Sequence, residues 1–272
     1  MAMLLLAVAT GLLVLGIALQ PRWVHWRRLQ RQREPFPASW RGILQRRVPY
    51  VRTMPADLQL QLKKHIQVFL AEKPFIGCAG LVVTEEMRVT IAAQACLLIL
   101  NRPTDYYPRL RQVLVYPSAF RVNREVGHDD GLVHHQRDVL EGESWDHGQV
   151  ILSWDDTLAG AKGVADGVNV AIHEFAHQLD AETGEASGMP ALPSRARRER
   201  WAQVMGHEFK ALQKADRLDE PTLLDPYGAT NPVEFFAVAT ETFFECPADL
   251  QHEHPALYRE LSEYYRLDPM SW

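Results

Sequence analysis

The stretch 170–180, VAIHEFAHQLD, decides how the rest of the chain is read. On an α-helix, residues four apart share a face, so His173 and His177 can aim both imidazoles at one point. Two imidazoles so placed are the nitrogen donors of a Zn2+ site. Glu174 sets a carboxylate beside the first histidine, where it can take a proton from a water that the metal has acidified. Val168, Val170, Ile172, Phe175, Ala176 and Leu179 cover the other faces, which predicts a buried helix over about Val168–Ala181. The bare pattern fixes three positions in five, and chance copies exist. At His207-Glu208 the place of a second histidine is taken by Ala211, and that copy reads as an ordinary exposed helix face.

A catalytic zinc takes three protein ligands and leaves one position open. A three-histidine pattern would need Gly at 180 and His at 183. The chain has Asp180 and Thr183, so the third donor is expected to be an acid. Asp180 itself reads either as a carboxylate that orients a histidine or as a solvated helix-end acid. The stretch 226–245, PYGATNPVEFFAVATETFFE, is the better source. Asn231 reads as an N-cap, Pro232 takes the first helical position and Glu234 the third. Glu234 is then either the partner in a capping box or the third ligand, supplied by a second helix. Glu241, seven residues on, lies on roughly the same face and remains the alternative ligand. Tyr227 reads as a packed loop tyrosine or as a hydroxyl donor to a developing oxyanion. His128, His134, His135 and His147 could close a structural four-ligand site, but their polar setting favours exposed histidines.

Around these motifs the pattern is mostly helical. Apolar spacing predicts helices over Ala56–Glu72, from a Thr84 cap to about Leu100, over Arg195–Asp216, Asn231–Phe244 and about Ala256–Tyr265. Strand-like runs are Leu81–Val83, Val113–Tyr116 and Gln149–Trp154. The last could offer an edge for an extended substrate. Residues 121–148 read as loop or hairpin. Residues 155–167, with Gly160, Gly163 and Gly167, read as a loop that is either a flap or a plain connection. Helices around a few strands make an α+β class.

Charge divides the chain. Residues 1–50 hold eight arginines and one acid, a net +7, in a chain of net −5, so residues 51–272 carry −12. An acidic body argues against nucleic acid as a partner. Cys78, Cys96 and Cys246 form no close pair and suit a reducing compartment. Residues 2–19 contain no charge and span about 27 Å as a helix, enough for a hydrocarbon core of about 30 Å. Trp23 and Trp26 suit the membrane interface, and the arginines suit its cytoplasmic side. The expected organisation is a membrane anchor at 1–20, a basic linker at 21–43 and a domain at 44–272. The anchor would be single-pass in the inner membrane with the domain in the cytoplasm. A cleaved signal peptide and a purely cytoplasmic protein are the competing readings.

HEFAHQLD followed by Tyr227-x6-Glu234, within the longer stretch DPYGATNPVEFFAVATETFF, resembles the Mlc titration factor A family of zinc peptidases. The similarity runs from about Leu44 to Met270. The resemblance implies a zincin-like fold of gluzincin type, with one Zn2+ on His173, His177 and Glu234. It implies Glu174 as general base and Tyr227 as transition-state donor. The core is also similar to that of anthrax lethal factor. Implied beyond chemistry are peptidase activity, including aminopeptidase activity, on a peptide or protein substrate, and interaction with a transcriptional repressor of sugar uptake. A metalloprotein that captures such a regulator, with incidental proteolysis, is the rival reading. The apolar N-terminus departs from the best-known member of that family, which is soluble.

Overall fold

The computed structural model describes the chain except residues 119, 128–132, 141, 146–147 and 164–165. It describes the backbone alone at 7, 8, 12, 13, 15, 120–127, 133–140 and 142–145. Within these residues the architecture is mostly helical α+β, with one small sheet.

The sheet orders its strands β1 (Phe75–Gly77), β2 (Gln112–Tyr116), β6 (Gln149–Ser153) and β5 (Gly142–Trp145). The first three are parallel and β5 runs antiparallel to β6. Val113 pairs with Val150 and Val115 with Leu152, all fully buried. Val150, Ile151, Leu152 and Ser153 are buried in succession, as expected of a central strand covered on both faces. The expectation that this strand offers a free edge is therefore corrected: β6 is internal, and β5 is the edge strand lying along the motif helix. A separate ladder pairs β3 (Phe120–Gly127) with β4 (Val133–Leu140), the hairpin alternative for that region.

Helix α3 (Ala56–Glu72) has its expected bounds. Helix α4 (Glu85–Leu97) starts at its Thr84 cap, whose Oγ1 accepts from the Met87 amide at 3.2 Å. The run Leu81–Val83 is not a strand. Ala79 and Gly80, at φ 51° and 81°, turn the chain, and the turn closes with Leu81 N on Cys78 O at 3.0 Å. Leu81 and Val83 then pack on the core from outside the sheet.

Residues 155–161, expected as loop, belong to helix α5 (Trp154–Ala161). It is capped by Ser153 and carries Asp155 and Asp156 in its first turn. Gly160 is there for close approach: a Cβ would lie 2.8 Å from Asn169 Cγ. Its glycine therefore gives no support for a flap.

Helix α6 (Val170–Asp180) carries the motif, α8 (Pro232–Glu245) packs along it, and α7 (Arg195–Arg217) packs on α8 through Trp201 against Phe236 and Phe209 against Phe235. Phe175 meets Phe69 at 5.7 Å and Tyr107 at 5.1 Å, joining α6 to α3. Helices α9 (Pro247–Glu253) and α10 (Pro255–Tyr265) close the fold.

At the other end, α1 runs unbroken from Ala2 to Arg33, and α2 spans Ala38–Arg47. The basic stretch expected as linker is thus largely helical. The apolar half of α1 is long and apolar enough to cross a membrane, and none of its described residues is buried against the rest of the chain.

Candidate metal centre

Asn169 starts α6 by accepting from the Ile172 amide at 3.1 Å, and four residues on stands His173. His173 Nε2 and His177 Nε2 are 3.0 Å apart. Across from them, Asn231 caps α8 with its own Oδ1, which accepts from Val233 N at 2.9 Å and Glu234 N at 3.0 Å. That leaves the Glu234 carboxylate to face the histidines. Its Oε2 is 3.0 Å from His173 Nε2 and 3.3 Å from His177 Nε2. One helix cap therefore serves as the aiming device for Glu234.

These three side chains are the group of potential metal donors found among the described residues. Their chemistry fits a divalent ion of the zinc kind. Two imidazole nitrogens face each other at hydrogen-bond distance, and two lone pairs cannot satisfy one another without a cation or proton between them. Donors bound tetrahedrally at about 2.05 Å stand about 3.3 Å from one another. The observed separations of 3.0, 3.0 and 3.3 Å match that triangle.

Glu241 lies on the far side of His173. Its Oε1 is 2.7 Å from His173 Nδ1, and its Oε2 accepts from the Asn169 amide at 2.6 Å. It therefore holds the imidazole from behind, with Nε2 left to point at the cluster. Burial acts most strongly on His173 and disfavours its charge. The hydrogen bonds to Glu234 and Glu241 outweigh it and raise the proton affinity well above the ordinary histidine value. Burial pushes Glu234 up as well, but the two histidines hold it well below the usual carboxylate range. Glu174 is buried on the same helix, close enough to His173 to favour its charged form.

Tyr227 sits on a single 3-10 turn, Pro226–Ala229, that Asp225 caps through the Tyr227 amide at 2.8 Å. The residue is 54% exposed, and its ring centroid lies 6.0 Å from that of His173. The structure thus brings all five expected residues to one place.

Asp180 follows neither expectation. It is buried, and its Oδ2 accepts from the amides of Ser187 and Gly188 at 2.7 and 2.6 Å. Gly188 has φ 74°, and a Cβ there would lie 2.3 Å from Pro232 O. Trp201 Nε1 donates to Gly188 O at 2.9 Å. Asp180 therefore ties the end of α6 to the loop against which the first residue of α8 rests. The Glu208 copy is not plainly exposed either: its Oε2 is 2.8 Å from His254 Nδ1, joining α7 to the α9–α10 corner. His128 and His147 lie outside the described residues, and only the backbone of His134 and His135 is described.

A mostly helical α+β fold that brings two histidines of α6 and an acid of α8 to one point is the arrangement expected of a metallopeptidase. A family model described as "Glucose-regulated metallo-peptidase M90" matches residues 23–266, and the chain belongs to that family. The protein slr2042 of Synechocystis sp. is 45% identical over 252 residues, 92% of this chain and 91% of that protein. Mlc titration factor A of Salmonella agona is 35% identical over 247 residues, 88% of each chain. That of Enterobacter sp. is 34% identical over 232 residues, 82% and 84%. Membership in a metallopeptidase family implies a bound metal.

Proposed function

We propose that the chain is a zinc-dependent peptidase that hydrolyses a peptide bond with Glu174 as general base. The observation that carries this reading is the convergence of His173, His177 and Glu234 beside the buried Glu174. His173, His177 and Glu234 would hold the ion. When bound, zinc supplies Lewis acidity and brings the pKa of water towards about 7.

Glu174 then takes the proton of the attacking water and hands it to the leaving amine. Tyr227, half exposed beside His173, is placed to donate its hydroxyl to the carbonyl oxygen as that oxygen gains charge. Glu241 keeps His173 from rotating. The edge strand β5, alongside α6, is the strand on which an extended substrate would pair. The substrate is a peptide or protein, and aminopeptidase action is consistent with the resemblance.

The relatives' name, Mlc titration factor A, favours one further reading, in which a transcriptional repressor of sugar uptake is bound rather than cut. One experiment separates the two. Glu174→Gln should keep its metal while peptide turnover falls about 10²–10⁴-fold. A fully active variant would remove Glu174 from the chemistry. Repressor capture equal in wild type and variant, with no metal-dependent cleavage of any peptide library, would select the binding reading.

The organisation proposed with this function is an apolar anchor at the N-terminus, placed in the inner membrane, and a peptidase domain in the cytoplasm. The positive-inside bias of residues 1–50 supports that side.

A further inference from the structure

The apolar run of α1 ends at Leu19, and the family match begins at residue 23, inside the same unbroken helix. The join is helical rather than a loop, with Pro21, which cannot donate to the carbonyl one turn back, inside it. The inner face of the helix beyond it is fastened to the domain. Arg28 is only 16% exposed and grips both oxygens of Glu72 at 2.7 and 2.9 Å. It also reaches Asp105 Oδ1 at 2.5 Å, and its guanidinium lies 4.8 Å from the centre of the Tyr106 ring. One turn on, Gln32 donates to Tyr106 Oη at 3.0 Å, and that hydroxyl is 2.9 Å from His65 Nδ1. A fourfold-held arginine with a hydrogen-bonded neighbour at i+4 makes a stiff joint.

The outer face has the opposite character. Arg22 and Arg27 are exposed, and among the described residues no ion pair engages them. Trp23 and Trp26 are 55% and 56% exposed, and Arg27 stacks over Trp23 at 4.7 Å. At 1.5 Å per residue Trp23 lies about 6 Å and Trp26 about 10 Å past Leu19. A headgroup layer is about 5–7 Å deep, so Trp23 falls at its cytoplasmic boundary and the backbone at Trp26 and Arg28 lies roughly 3–7 Å beyond it.

We propose that residues 22–33 form a bracket that holds the peptidase domain against an anionic phospholipid surface. Arg28 and Gln32 bolt the inner face to the domain, Arg22 and Trp23 sit among the headgroups, and the long side chains of Trp26 and Arg27 reach back to them from below. This rests on the reading of α1 as a membrane anchor. The occupant follows from the net charge of residues 1–50 and from continuity with the span, since juxtamembrane arginines beside tryptophan are drawn to anionic lipid.

The test uses the full chain in phosphatidylcholine vesicles with and without phosphatidylglycerol. Release by alkaline carbonate would remove the anchor reading itself, separately from the bracket. In the membrane-bound protein, amides of residues 22–33 and 101–107 should be protected from hydrogen exchange, and Arg28→Gln should expose them roughly tenfold. Equal exchange in both proteins overturns the bolt. If Arg28→Gln fails to fold, Asp105→Asn, which leaves the Glu72 pair, should give the same change in smaller measure. Quenching by brominated lipid, taken as wild type minus Trp23→Phe/Trp26→Phe, should strengthen with phosphatidylglycerol. That gain should vanish in Arg22→Gln/Arg27→Gln, whose thermal melt stays as in wild type. Quenching indifferent to anionic lipid overturns the headgroup contact.

Discussion

Glu241 touches an imidazole with one oxygen and a helix-starting amide with the other, so it supports the proposed ligand His173 and the start of α6 at once. Its replacement by Gln should weaken zinc affinity about 10–100-fold without emptying the site, measured by competition with a chelator. Unchanged affinity would mean that His173 needs no such support. Glu234→Ala should lose the metal altogether in elemental analysis, and retained zinc would transfer the ligand role to Glu241. At this scale the two histidines and Glu174 were legible, because their geometry is internal to one helix. The third acid was not settled by spacing, since a capping box and a ligand on α8 are written with the same letters. In the fold Asn231 caps α8 with its own side chain, and the Glu234 carboxylate faces the histidines.

Among the elements, the joint of α6, the 184–193 loop and α8 has the least tolerance. Gly188 combines a left-handed backbone with a Pro232 carbonyl oxygen 2.3 Å from where a Cβ would stand. Gly188→Ala should therefore cost about 2–4 kcal/mol in denaturant unfolding. It should also lower zinc affinity, because Pro232 must shift two residues before Glu234. A variant as stable and as metal-retentive as wild type would show that the joint yields freely. Helices α3 and α7 were legible from apolar spacing alone. The β1 strand and α5 were not. Three strand residues carry too short a period to see, and the glycines of 155–167 read as loop until the neighbour that demands Gly160 is known.

Across the whole molecule, acid should loosen the contact between α1 and the domain. Burial lowers the pKa of His65 to about 4 from an ordinary 6.5, so it is neutral when folded. The unfolded chain takes up a proton below about 6.5 and the folded one only near 4, so stability falls as pH drops through that window. The effect amounts to at most about 3 kcal/mol. The pH slope of unfolding should be shallower in His65→Gln between these limits. Parallel slopes would assign the acid sensitivity to other groups. The same residue bonds Tyr106 Oη, which Gln32 also holds, so the titration reads out at the α1 joint.

Local spacing in the chain was enough to specify the motif helix, its paired imidazoles, the adjacent carboxylate, the apolar first helix and the helix-rich class. Each of these depends on residues a few positions apart, where helical periodicity does the placing. Tertiary structure alone decided which acid faces the histidines, that Asp180 holds backbone, that β6 is internal and that Arg28 meets Glu72. Those partners are 44 to 77 residues apart for Arg28 and 61 for Glu234 and His173. Contacts at such separations are set by how helices and strands pack, and no local period encodes them.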